Sequence, residues 1–170
     1  QQREGLRVTL GSIGEGVIAT DTDARVMFLN AVAREVTGWN ADQANGKPIT
    51  TIFNIVNQKT RQLVENPVDR VLKAGMIVGL ANDTLLISRS GSEYMIADSG
   101  APIRDNTGNT LGAVLVFRDV TDEYTQAAAI RENEERLRAV ISDMPVMLVA
   151  TDAEGKLVAW NTECERVTGY

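Results

Sequence analysis

Between Leu111 and Glu123 the chain changes character, and that change constrains the rest of the molecule. The first half is β-branched and aromatic, dense enough to require a buried strand, and from Asp119 the chemistry is that of a helix start. Apolar residues fall on both parities of the run, with Leu111, Ala113, Leu115 and Phe117 set against Val114, Val116 and Val120. That pattern predicts a central strand covered on both faces. From Glu123 to about Met144 the residues are mostly Ala, Glu, Arg and Leu, with no Gly or Pro before Pro145. A long helix that leaves the strand's domain is the expectation, and we read the junction as an output lever.

The other segments fit an antiparallel sheet. Gly16–Thr20 and Arg25–Leu29 are strand-like and flank a turn over Asp21–Ala24, which gives a hairpin. Short helices are predicted over Ala31–Val36, closed by Gly38, over Thr51–Ile55, over Lys59–Glu65, and from Pro67 to Gly75 with Asn66 as N-cap. Thr84–Arg89 and Tyr94–Ile103, joined by a turn at Ser90 and Gly91, lead through a turn over Asp105–Gly108 into the strand described first. Two strands, several helices and three strands make an α+β fold, with the helices over one face of the sheet. Residues 1–14 suit an amphipathic N-terminal helix weakened by Gly5 and Gly11.

Composition closes off much chemistry. With no His among 170 residues, these residues supply no His-dependent triad, proximal-His haem ligand or phosphoaccepting histidine. The formal charge of −6, without a basic patch, argues against nucleic-acid or anionic-membrane binding. Cys164 is the only cysteine, which excludes an intramolecular disulfide and makes the cytoplasm the expected location. No apolar run approaches the roughly 18 residues that span a bilayer. Asp21-Thr22-Asp23 imitates a calcium loop, but Val26 and Val32 stand where Gly and Glu are needed. Gly46-Lys47-Pro48 lacks the flanking residues of a phosphate loop. No nucleophile and base pair stands out, so no catalytic residue and no metal ligand is assigned.

Along the outgoing helix, Ile130, Leu137 and Met144 share one heptad position, and Ala127, Glu134 and Ile141 another. This is a weak coiled-coil seam, interrupted by the charge of Glu134, suited to a homodimer through the flanking helices with help from residues 1–14, and a helix that lies on its own domain is the alternative. An internal repeat also appears: residues 17–39 recur at 148–170, since Asn161 minus Asn30 and Asp152 minus Asp21 both give 131. Ala19-Thr20-Asp21 matches Ala150-Thr151-Asp152, and Val36-Thr37-Gly38-Trp39 matches Val167-Thr168-Gly169-Tyr170. The second copy carries only a hairpin and a helix.

The ordered run of Val17-Ile18-Ala19-Thr20-Asp21, Phe28-Leu29-Asn30, Val36-Thr37-Gly38-Trp39, Gly46-Lys47-Pro48, Ser88-Arg89-Ser90-Gly91-Ser92-Glu93-Tyr94, Ala101-Pro102-Ile103-Arg104-Asp105 and Val116-Phe117-Arg118-Asp119-Val120-Thr121-Asp122 resembles the PAS sensory family. The resemblance implies a five-stranded antiparallel sheet, a helical cap over a pocket, and flanking signalling helices. It divides the chain into an N-terminal helical cap (1–14), a PAS domain (15–121), a helical linker (122–144) and the start of a second, truncated PAS domain (145–170). Tandem domains of this kind usually precede an output domain in the same chain, here a sensor histidine kinase first, with a diguanylate cyclase or a ligand-free dimerisation scaffold as alternatives.

Trp39, Phe53, Leu63, Val71, Leu115 and Phe117 are candidates to line the pocket. Trp39, Phe53, Asn66, Ser99 and Phe117 are candidates to hold a cofactor, and Asp119 and Thr121 to couple the signal. The cofactor itself is not identified. The region Asn54–Arg61 carries no Cys, so cysteinyl-flavin photochemistry is not expected, nor is His-ligated haem. A non-covalent flavin remains compatible, as does an empty or metabolite-filled pocket.

Overall fold

The computed structural model describes residues 14–79 and 83–170, which divide into two compact units between Asp122 and Glu123. The helix expected over 1–14 lies outside the described residues apart from Gly14.

In the first unit β1 (Gly16–Thr20) and β2 (Val26–Leu29) form the hairpin, followed by α1 (Ala31–Thr37), α2 (Ala41–Ala44) and α3 (Ile49–Ile52). Next come β3 (Ile55–Asn57), α4 (Pro67–Ala74), β4 (Val78–Gly79), β5 (Thr84–Ile87), β6 (Glu93–Arg104) and β7 (Thr110–Asp119). The sheet runs β2-β1-β7-β6-β5-β3, with β4 pairing β6, and every pairing is antiparallel. The five expected strands are β1, β2, β5, β6 and β7, and two short strands join them. β7 lies between β1 and β6, as its apolar density requires.

Local chemistry sets the helix ends. Asn30 caps α1 by accepting from the Ala33 N–H, and Gly38 closes it at φ 73°. Asn66 caps α4 by accepting from the Val68 N–H, with Pro67 in the first turn. The helix expected over Lys59–Glu65 does not form. Asn57 Oδ1 accepts from the Lys59 and Thr60 N–H groups, and Arg61 adopts φ 60°, so the backbone is committed to a turn. Arg61 then forks onto Glu93, holding that carboxyl below its ordinary range, and Lys59 pairs with Asp83. β3 takes Ile55, the last residue of the predicted 51–55 helix, because Ile55 and the following Val56 are β-branched and pair with Leu86 and Leu85.

Alternation along β1 and β7 places Ile18, Ala113, Leu115 and Phe117 on the inner face, against Ile49, Ile52, Phe53, Val68 and Val71 from the helices. A Cβ on Gly16 would lie 2.3 Å from the Phe117 ring, so a bare backbone is what lets that ring settle. On the outer face Val114 and Val116 are only half-buried, so β7 is not covered on both sides as predicted. A smaller cluster forms there from Val56, Leu85 and Met95, with Ile87 and Val120 against it.

The long helix α5 (Thr121–Asp143) has its first two residues in the first unit and the rest in the second, which also holds β8 (Val149–Thr151), β9 (Leu157–Trp160) and α6 (Thr162–Thr168). No residue of α5 is buried. It is not long and apolar enough to cross a membrane, nor is any other helix among the described residues.

Candidate functional site: the cap interior and the strand-to-helix junction

Phe53 ends α3 and Phe117 points inward from β7, and their rings meet at 5.0 Å between centroids, tilted by 53°. Both are fully buried, as are Val71 and Leu115. Such a tilted pair satisfies the aromatic edges and faces with each other. Asn66, also buried, spends its side chain on the chain itself, since Oδ1 accepts from the Val68 N–H and Nδ2 donates to the Phe53 carbonyl. These three residues form one group: Asn66 fixes α4 and the Phe53 backbone, and Phe53 rests on Phe117.

The remaining candidates are elsewhere. Trp39 packs on the edge of the core, and its ring carries the Arg89 guanidinium 4.4 Å from the centroid. Arg89 also donates from Nη1 to Gln43 Oε1, so the indole braces the α1–α2 connection to the end of β5. Ser99 pairs with Val116 in register and sits exposed on the outer face of the sheet, the wrong parity for the interior. Leu63 is 80% exposed in the turn that replaced the expected helix. A planar flavin therefore does not fit these residues as arranged. The rings that would stack on it face each other, Trp39 is engaged by Arg89, and Ser99 cannot reach. A groove of about 490 Å³ does open in this unit, but it runs along the edge strand β2, lined by Met27, Phe28, Ala31, Arg34 and Asp42, away from the aromatic pair.

The junction is built more tightly than a plain helix start. Asp119 Oδ1 accepts from both the backbone N–H and the hydroxyl of Thr121, at 2.9 and 2.5 Å. The Thr121 hydroxyl oxygen in turn accepts from the Met95 N–H at 2.9 Å. Met95 closes the loop by accepting the Val120 N–H at its carbonyl, at 2.8 Å. Helix start and neighbouring strand β6 are thus joined by one backbone–backbone bond and one from the Met95 N–H to the Thr121 hydroxyl, while the Met95 side chain and Val120 share the outer apolar cluster. Met95 is the residue that sequence reasoning missed. Only its register opposite the end of β7 reveals it, and register is not written in the local sequence. Among the described residues no group of three or more His, Cys, Asp or Glu could hold a metal ion.

Comparison with known proteins places this architecture. A family profile described as PAS fold matches residues 10–125, and one described as PAS domain matches 135–170. The chain is 34% identical over 122 residues to the probable diguanylate cyclase DgcE of Escherichia coli, covering 72% of this chain and 11% of that protein. It is 30% identical over 119 residues to the alginate biosynthesis sensor protein KinB of Pseudomonas aeruginosa, covering 69% of this chain and 18% of that one. Among solved structures, the PAS domain of a Colwellia psychrerythraea protein superposes with a TM-score of 0.55 at 15% identity, over 72% of this chain and 99% of that one. The chain spans a small fraction of these curated relatives. With an antiparallel sheet under a helical cap among the described residues of its first unit, and most of its length matched by one family profile, the chain belongs to the PAS family.

Proposed function

We propose that the chain is the sensing and relay part of a longer signalling protein, in which a rearrangement of the sheet is passed through the Asp119–Thr121 junction to α5. The observation that carries this is the Met95–Thr121–Asp119 set of bonds, which makes the helix start a direct neighbour of β6 rather than a free end. Strand displacement therefore moves the cap, and the cap sets the direction of the helix. The divisions we infer are a PAS domain over 15–121, a linker over 122–144 and a second PAS segment over 145–170. The output domain we infer is a histidine kinase or a diguanylate cyclase, the second favoured by the E. coli relative. A single, buried cysteine supports a cytoplasmic location.

We further infer a homodimer through α5, supported by Ile130 and Leu137, which stand exposed along the helix at heptad spacing. In the longer protein, Asp119→Ala and Thr121→Ala uncouple output from input while the domain stays folded. Wild-type responses from both would reduce the junction to a helix cap. Light scattering of the 170-residue chain checks the dimer: Leu137→Glu shifts it to monomer, and a wild-type chain that is monomeric at all concentrations removes the idea.

A second reading, a PAS domain that holds dimer geometry without a ligand, is favoured by the mutual packing of Phe53 and Phe117. A colourless purified protein whose denatured extract holds no small molecule, even after incubation with flavin, supports this reading. Flavin bands in the freshly purified protein, with flavin in its denatured extract, overturn it.

A further inference from the structure

We propose that Asn161 is the positioning residue that fastens the C-terminal end of α5 to the hairpin and helix after it in the second unit, so that these follow the end of the linker. The proposal rests on reading α5 as a relay. The last carbonyls of a helix have no donor within it and need partners from outside. Asn161, 2% exposed, supplies one for Ile141 in the last turn and reaches past the helix end to two more carbonyls. Its Nδ2 donates to the carbonyls of Val146 at 2.8 Å, Ile141 at 3.2 Å and Met144 at 3.4 Å. With two N–H groups for these acceptors, the shortest contact takes one proton, and the helix-end carbonyls share the other. On its other side, Oδ1 accepts from the Leu148 N–H at 3.0 Å and the Cys164 N–H at 3.3 Å, where β8 and α6 begin. One uncharged amide thus holds the end of α5, the entry to the hairpin and the start of α6 together. The Ser142 and Thr162 hydroxyls add a contact of 2.8 Å beside it.

The first unit repeats the device at the corresponding position. Asn30 Oδ1 accepts from the Val17 and Ala33 N–H groups, and its Nδ2 donates to the Glu15 carbonyl at 2.8 Å. In both copies the amide nitrogen faces the segment that leads into the hairpin, and the amide oxygen faces the hairpin and the helix after it. A carboxamide is the side chain of this length that offers a donor and an acceptor together without charge, whereas Asp offers acceptors only.

That difference supplies the test, read by amide hydrogen exchange on the 170-residue chain. Asn161→Asp keeps the acceptor for Leu148 and Cys164 but turns an oxygen towards three carbonyls. The Leu148 and Cys164 amides stay protected to within about twofold, while amides at the end of α5 and on to Met147 exchange about tenfold faster. Asn161→Ser, which can cap Cys164 but is too short to reach Ile141 or Met144, gives the same loss at the helix end. This variant decides the matter if the Asp variant loses protection throughout the unit.

Coupling is checked by Ala139→Gly, which weakens the exposed helix end. It speeds exchange at Leu148 and Cys164 about fivefold in the wild-type background and leaves them unchanged beside Asn161→Asp. Wild-type exchange from 139 to 147 in both Asn161 variants overturns the proposal, as does an Ala139→Gly effect equal in both backgrounds. Failure of the relay reading itself would show separately, as wild-type output from the Asp119 and Thr121 variants with this exchange pattern intact.

Discussion

Residues 17–39 and 148–170 make the same local structure in different surroundings. Asp21 and Asp152 each accept from backbone N–H groups two and four residues on. Both hairpins shift register at the same place, between Ala19 and Thr20 and between Ala150 and Thr151. Thr37 and Thr168 each donate to the carbonyl four residues back, and Gly38 and Gly169 close the helices at φ 73° and 76°. Burial is where the copies part. Ile18 is fully buried, but its counterpart Val149 is 52% exposed; Val26 is 1% exposed, but Leu157 is 49%. The reason is β7, which pairs with all of β1 and brings Leu115 and Phe117 onto the inner face, whereas among the described residues β8 pairs only with β9. Hydrogen-bonded shape is thus local, and the core is not.

The largest effect should follow from removing what the first copy has and the second lacks. Phe117→Ala takes away the partner of Phe53 and costs the first unit about 3–5 kcal/mol. Urea unfolding reads this through Trp39 fluorescence in a Trp160→Phe background, and the Trp160 signal in a Trp39→Phe background stays where it was. A common shift of both signals would mean that the units unfold as one. Next comes the matched pair, where Ile18→Ala costs about 2–5 kcal/mol and Val149→Ala about 1 kcal/mol or less. Equal costs would contradict the contrast in burial.

Cysteine labelling sharpens the comparison further. Cys164 and Ala33 occupy corresponding buried positions, so native Cys164 and an Ala33→Cys, Cys164→Ala variant report opening of the two units by the same chemistry. Cys164 should react about a hundredfold faster, because a small apolar core opens more readily. Similar rates would show the second unit to be as stable as the first.

The smallest effect concerns acid, in the β6–β7 turn of the first unit. The Thr107 hydroxyl, the Asn109 backbone N–H and further bonds from these two residues hold the Asp105 carboxyl down at about 2, from an ordinary 3.8. A carboxyl depressed on folding contributes stability above its unfolded value and loses it as pH falls through the folded one. The advantage of wild type over Asp105→Asn should therefore be constant near neutrality and shrink between about pH 4 and about pH 2. A difference that does not change with pH in that window would assign the turn's worth to shape alone.

Much of the fold was legible because its signals are local. The Asn30 and Asn66 caps, the Gly38 and Gly75 stops, and the apolar density of β7 each lie within a few residues of the element they specify. The helix predicted over 59–65 failed because an Asn57 side chain competed for its first amides, a choice made by one oxygen atom. The cap interior was half legible. Phe53, Asn66 and Phe117 do meet, but Trp39 was drawn to Arg89, which is 50 positions away in sequence, and Ser99 was placed on the wrong face by one residue of register. At the junction Asp119 and Thr121 could be read from their spacing, whereas Met95 could not, since its part depends on a strand pairing.

The way α5 begins also bears on how such a chain can be recombined. Asp119, Thr121 and Met95, which make the bonds at its start, all lie in the unit that ends at Asp122. A crossover just after Asp122 carries the complete launching point with the sheet and hands any helix joined there a first turn already anchored. A crossover a few residues earlier, before Asp119, leaves the anchor split between parents, with the Met95 N–H facing whatever side chain the other parent supplies. The seam at which this architecture exchanges partners without losing its lever is therefore narrow, and it falls after the threonine.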